Sequence, residues 1–156
     1  PSEADMITPH VETLFCDDIR HEINGKLSYI GVYADALLVP AFPATLPKLC
    51  VSIKIVTPAN APLHSLTLRV LKDDATLQEI VVDEDQLASA TDAFAELNDE
   101  ERQRQHVQTL QYLLEFSPFH LETACTVQVR ALVDGVELQG AGLRVDQMPS
   151  SPDLPS

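Results

Sequence analysis

The chain has 156 residues, 45% of them apolar, and a formal net charge of −14. That length suits one domain able to bury about 70% of its unfolded surface, and the apolar content argues against wholesale disorder. The charge excludes a nucleic-acid backbone or an anionic membrane as an expected partner, since both need Lys and Arg to displace counterions; the apolar runs also fall far short of the roughly 20 residues that span a bilayer.

Residues 1–9 read as an N-terminal tail, and PSEAD before Met6 looks like tag or linker. No charged stretch leads into an apolar one there, so no signal peptide is expected. CDDIRHEINGKLSYIGVY follows at 16–33, with Asn24-Gly25 suited to a two-residue type I′ turn. That turn pairs Ile23 with Lys26. It then places Cys16, Asp18, Arg20 and Glu22 on one face of the ribbon, and Phe15, Asp17, Ile19, His21 and Ile23 on the other.

Pro40, Pro43, Pro47, Pro58 and Pro62 punctuate the next region between strand candidates. LCVSIKIV alternates, with Leu49, Val51, Ile53 and Ile55 facing one way and Cys50, Ser52 and Lys54 the other, which predicts a half-buried strand. SLTLRVLK repeats the pattern through Leu66, Leu68 and Val70, and TLQEIVVD (76–83) is a further strand of less regular phase. Residues 83–105 break the alternation and predict a short helical or loop insertion. QTLQYLLEF then sets Leu110, Tyr112, Leu114 and Phe116 on one face. TACTVQVRALV (123–133) meets a second turn pair at Asp134-Gly135, VELQ returns, and GLRV (142–145) adds a strand. The proline-rich tail at 148–156 is expected to be disordered. Eight or nine short strands with turns between them predict an all-β fold over residues 10–147. The expected form is an antiparallel two-sheet β-sandwich, immunoglobulin-like or C2-like.

The stretch Cys16–Glu22 looks most like chemistry. Cys16, Asp17, Asp18, His21 and Glu22 are all possible metal ligands. Yet the period of two sends the thiol and the imidazole to opposite faces, and it separates Asp17 from Asp18, which a carboxylate dyad would need together. No CxxC, HxH or HExxH spacing occurs, nor any GxSxG or P-loop. Asp18, Arg20 and Glu22 are therefore read as a charge ladder, with Arg20 stacking on Tyr29 across the strands. No metal, cofactor or catalytic residue is expected. Asp17 and His21 remain a candidate hydrogen-bonded pair, and a bulge at Asp17-Asp18 would change the faces.

Acid is concentrated between Asp73 and Glu101, which hold 11 of the 24 carboxylates and no Lys or Arg. Asp83-Glu84-Asp85 and Asp99-Glu100-Glu101 are clustered rather than evenly spaced, which disfavours an imitation of nucleic-acid phosphates. Three cysteines, Cys50 and Cys125 on strand faces that do not match, suggest unbridged thiols and a reducing cytoplasm.

Residues 11–55, VETLFCDDIRHEINGKLSYIGVYADALLVPAFPATLPKLCVSIKI, resemble an uncharacterised family of small bacterial proteins, a domain of unknown function. The resemblance rests on the FCDDIR, GK and IGVY segments, and extends to the DG hairpin near Val133 and the strand at Leu143. It implies one compact cytoplasmic β domain and no activity, cofactor or catalytic residue.

The expected role is a non-enzymatic protein-binding or adaptor module, acting on a protein partner or on itself through a strand edge. Its expected contact residues are Asp18, Arg20, Glu22, Glu84, Asp85, Glu100 and Glu101. The alternatives are an acidic inhibitor of a basic, nucleic-acid-binding protein and a metal-dependent enzyme using the Cys16–Glu22 cluster.

Overall fold

A computed structural model describes residues 8–59, 63–95, 100 and 107–149, with the backbone alone for 90–95. The expected tail disorder beyond Pro149, most of residues 1–9, and Glu101 lie outside the described residues. In chain order the elements are β1 (His10–His21), β2 (Leu27–Val32), β3 (Ala36–Val39), β4 (Ala44–Leu46), β5 (Leu49–Pro58), β6 (Leu66–Lys72) and β7 (Ala75–Val82). There follow α1 (Glu84–Ala95), β8 (Val107–Phe116), β9 (Phe119–Leu121), β10 (Cys125–Val133), β11 (Val136–Gln139) and β12 (Leu143–Gln147).

Two sheets face each other in a β-sandwich. The first runs β2-β1-β5-β8, and the second runs β3-β12-β10-β6-β7, with β11 also on β10. A short ribbon of β4 and β9 stands apart. Pairing is antiparallel except between β12 and β3, which run parallel. Twelve strands are described rather than eight or nine. The additional ones are mostly three or four residues long, too short to show an alternation.

Alternation built the core. Leu49, Val51, Ile53 and Ile55 are wholly buried, opposite Leu66, Leu68 and Val70 from β6 and Val127 and Val129 from β10. Burying each such side chain stabilises the fold by about 1.5–3 kcal/mol. The Asp134-Gly135 turn has the two positive φ values its sequence requires, 48° and 85°, and Val133 pairs with Val136 across it. The helix α1 falls inside the predicted insertion. Asp83 precedes it, and the Gln86 side chain accepts from the Asp83 amide at 3.4 Å, half of a capping box.

The first hairpin departs from expectation. Asn24 and Gly25 do take positive φ, 66° and 72°. The Glu22 amide, however, donates to the Lys26 carbonyl at 2.8 Å, and His21 pairs with Leu27. The loop therefore holds three residues, Ile23, Asn24 and Gly25, and every partner on β2 shifts by one. Gly31 now lies level with Asp17. Its φ is 68°, and a Cβ there would collide with the Asp17 carboxylate. That carboxylate passes over the glycine to accept from the Tyr33 hydroxyl at 2.5 Å. The slipped register places the one residue without a side chain where the carboxylate needs room.

A second departure is that β5 is buried on both faces, apart from Lys54, and is not half-buried. Cys50 and Ser52 point away from the sandwich core, yet each is 3% exposed. Their cover is the β1–β2 ribbon. It runs on past the start of β5 and bends at Asp17 and Gly31, so that Tyr29 reaches the outer face. There the Tyr29 hydroxyl meets Ser52 Oγ at 3.3 Å and accepts from Gln111 Nε2 at 2.9 Å.

The bend predicts unequal costs at two glycines of similar φ. A Cβ on Gly25 would meet nothing within 4 Å, so Gly25→Ala should cost only the left-handed backbone penalty, about 1–2 kcal/mol. Gly31→Ala must also dislodge Asp17 from Tyr33 and should cost at least about 1 kcal/mol more. Urea denaturation of both variants measures the difference.

Candidate functional site

The polar stretch of the first strand splits where the ribbon bends. Asp17 goes to Tyr33, whose hydroxyl is pushed above its ordinary pKa by burial and then by that carboxylate. No hydrogen bond or ion pair joins Asp17 to His21 among the described residues. Arg20 and Glu22 do pair, at 3.5 Å, with the arginine the more exposed of the two. Tyr29 is turned toward Ser52 and Gln111, so the expected stacking of Arg20 on Tyr29 gives way to a hydrogen-bonded contact beneath the ribbon. Asp17 and Asp18 take different partners, as the period of two requires.

Asp18 leaves the expected ladder. Lys48 donates to its carboxylate at 3.1 Å and to the Glu115 carboxylate at 3.0 Å. Lys48 stands just before β5, where the Pro47 carbonyl accepts from Ser117 Oγ at 2.9 Å, directly after β8 ends. That bond ties the start of β5 to the end of β8 and brings the ammonium beside Glu115. Three adjacent strands thus deliver Asp18, Cys50 and Glu115 to one spot, with their ligand atoms within 4.8 Å of one another. Cys16 lies alongside, level with Cys50 in the β1–β5 pairing.

One ammonium serves the two carboxylates of this cluster. The hydrogen bond from Lys48 holds the Asp18 carboxyl below the usual carboxylate range. Glu115, and then Asp18, raise the Lys48 ammonium above its ordinary value. Burial pushes the Cys16 thiol up to about 11, and the neighbouring Cys50 adds to the effect. Cys50 is also raised, by burial first and then by Glu115. Asp18, Cys50 and Glu115 are the residues that could hold a metal, but the Lys48 ammonium already lies between the two carboxylates. Of the ligands considered from sequence, only Cys16 and Asp18 are here; His21 and Glu22 are elsewhere on the ribbon.

Lys48, Cys50 and Glu115 carried no local signal, because their proximity to Asp18 depends on strand order. The acidic residues form a separate group. Glu84 and Asp85 occupy the first turn of α1, where carboxylates interact favourably with the helix dipole. Glu100 is exposed, and Glu101 lies outside the described residues.

A match to the Family of unknown function (DUF6941) spans residues 13–146. The chain belongs to that family. The DUF6941 match contains the whole Asp18–Lys48–Cys50–Glu115 cluster and nearly all of both sheets. Among curated proteins, none matches the chain. No helix among the described residues is long and apolar enough to cross a membrane.

The cluster predicts a two-sided pH dependence. A depressed Asp18 carboxyl contributes stability that is present above its ordinary value, near pH 4, and fades as pH falls through and below it. A raised Lys48 contributes stability that is complete below about pH 10 and fades as pH rises further. Urea midpoints of the native protein should exceed those of Lys48→Met by a constant amount between about pH 5 and pH 9. That gap should narrow on both sides.

Proposed function

We propose that this DUF6941 domain is a non-enzymatic protein-binding module that receives a partner's strand along the outer edge of β8. The supporting observation is the contrast among sheet edges. β3 is four residues long, β2 carries the positive-φ Gly31, and the β7 edge is broken by a register shift opposite Val70 and Leu71. These are the devices that keep edges from pairing. β8 has none of them. Its ten residues run in unbroken register with β5, and Glu115 is its single charge. Among the described residues no strand pairs with its other edge.

The side chains agree with the backbone. Leu110, Tyr112, Leu114 and Phe116 face the core but are only partly buried, whereas their partners on β5 are wholly buried. An added strand would continue the hydrogen-bond ladder and cover this apolar rim, the usual logic of strand addition. A second copy of the chain could supply the strand as well as another protein. The acidic segment, including Glu84, Asp85, Glu100 and Glu101, would steer a basic partner toward the domain. Three unbridged thiols favour a reducing, cytoplasmic setting, and bacterial origin follows from the resemblance at residues 11–55. The metal-dependent alternative loses support, because the Cys16–Glu22 residues are divided between several partners.

Capture of the partner from an extract of the native host should fail with Leu110→Lys, which puts a charge at the apolar rim, while circular dichroism stays native. Amides of β8 that point away from β5 should exchange quickly in the lone domain and at least tenfold more slowly in the complex. Unchanged exchange there, with a partner demonstrably bound, would place the interface elsewhere. Reversing Glu84, Asp85, Glu100 and Glu101 to Lys should slow association severalfold and add strong salt dependence to the comparison, without unfolding the domain.

A further inference from the structure

Cys16 and Cys50 are direct partners on neighbouring antiparallel strands. The Tyr33 amide donates to the Phe15 carbonyl on the β2 side, at 2.9 Å. Successive residues of a strand alternate in this respect, so Cys16 turns its own amide toward β5. The two cysteines are then a hydrogen-bonded pair, with Cα atoms about 5.5 Å apart. That separation lies within the range found across disulfides. The Cβ atoms of such a pair, however, stand nearer to about 5.5 Å apart than to about 4.5 Å, wider than a relaxed bridge. Closure therefore draws the strands together and leaves the bond strained and easily reduced. Both side chains project to the outer face of the sheet, where they are 0% and 3% exposed.

We infer that Cys16 and Cys50 are a reversible disulfide site, closed by exchange with a small-molecule disulfide and opened by a small-molecule thiol. The cover over the pair is slight. The ribbon is fastened to the outer face by Tyr29 through Ser52 and Gln111, and by Asp18 through Lys48. Ribbons held by a few polar contacts open locally far more often than the domain unfolds, and such opening admits the oxidant.

The two thiols have different neighbours, which sets the order of events. The Lys48 ammonium stands beside Cys50 and partly offsets the burial and the Glu115 charge that raise that thiol. Cys50 loses its proton to solvent and attacks the small disulfide, releasing one small thiolate and leaving a mixed disulfide on Cys50. Cys16 loses its proton, attacks the Cys50 sulfur and releases the second small thiolate. One Cys16–Cys50 bond forms as the external disulfide is reduced to two thiols. The product joins β1 to β5 beneath the ribbon.

Oxidised glutathione tests this on the folded chain carrying Cys125→Ser. Both remaining thiols should disappear from alkylation, the mass should fall by two hydrogens, and a single peptide should link residues 16 and 50. Reduced glutathione should reopen the bridge in the folded protein, without urea, as expected of a strained bond. With Cys16→Ser added, one glutathione should be trapped on Cys50. With Lys48→Met added instead, bridging should slow severalfold. Thiols that stay alkylatable in urea just below the unfolding transition would overturn the proposal. So would glutathione caps on both cysteines, links only between chains, or a bridge that reduced glutathione opens only after unfolding.

Discussion

A sheet strand with one layer against it can hide only one of its faces, and β5 hides both. What makes this possible is the bend of the β1–β2 ribbon at Asp17 and Gly31. The missing Cβ of Gly31 lets the Asp17 carboxylate cross the partner strand and hold Tyr33. Beyond that point the ribbon folds across the outer face and sets Tyr29 on Ser52 and Gln111. Without the bend, Tyr29 would not cover the outer face of β5 at Ser52. The sandwich core supplies most of the stability, but the ribbon decides which chemistry is sheltered.

Much of the core was legible because it is written in alternation. Leu49, Val51, Ile53 and Ile55 show a period of two, and so do Leu110, Tyr112, Leu114 and Phe116; each set shares one face of its strand as that period implies. Asp134-Gly135 needed only local turn chemistry. Asn24-Gly25 carried the same signal and gave a different loop. Turn preference fixes the sign of φ at two residues, whereas register is settled by contacts as far away as Asp17, Gly31 and Tyr33. The cluster of Asp18, Lys48, Cys50 and Glu115 was hidden for a related reason. Its members come from separate strands, and no spacing along the chain encodes which strands lie side by side.

Charge is handled differently on the two outer faces. Across the second sheet, Arg69 meets Glu79 at 3.6 Å and Arg130 meets Glu137 at 3.8 Å, a solvated lattice of weak pairs. On the first sheet a single lysine serves two carboxylates beside two buried thiols. The net charge of −14 therefore owes less to this region, where an ammonium offsets one of two carboxylates, than to the acidic segment from 73 to 101.

The lysine links the cluster to the exposed edge. Glu115 is the only charge on β8, and an isolated charge at a strand edge ordinarily discourages pairing. Here the Lys48 ammonium, at 3.0 Å, draws that charge toward the outer face and neutralises it. The long edge is left with no electrostatic guard and with a row of half-covered apolar side chains. A domain selected only to stay monomeric would gain from an unpaired glutamate or an added lysine at this strand, where tolerance for surface charge is high. That the one charge on this strand is drawn into a pair with Lys48, while the edges of β3, β2 and β7 are shortened, bent or broken, is the physical support for the proposal that β8 receives a partner.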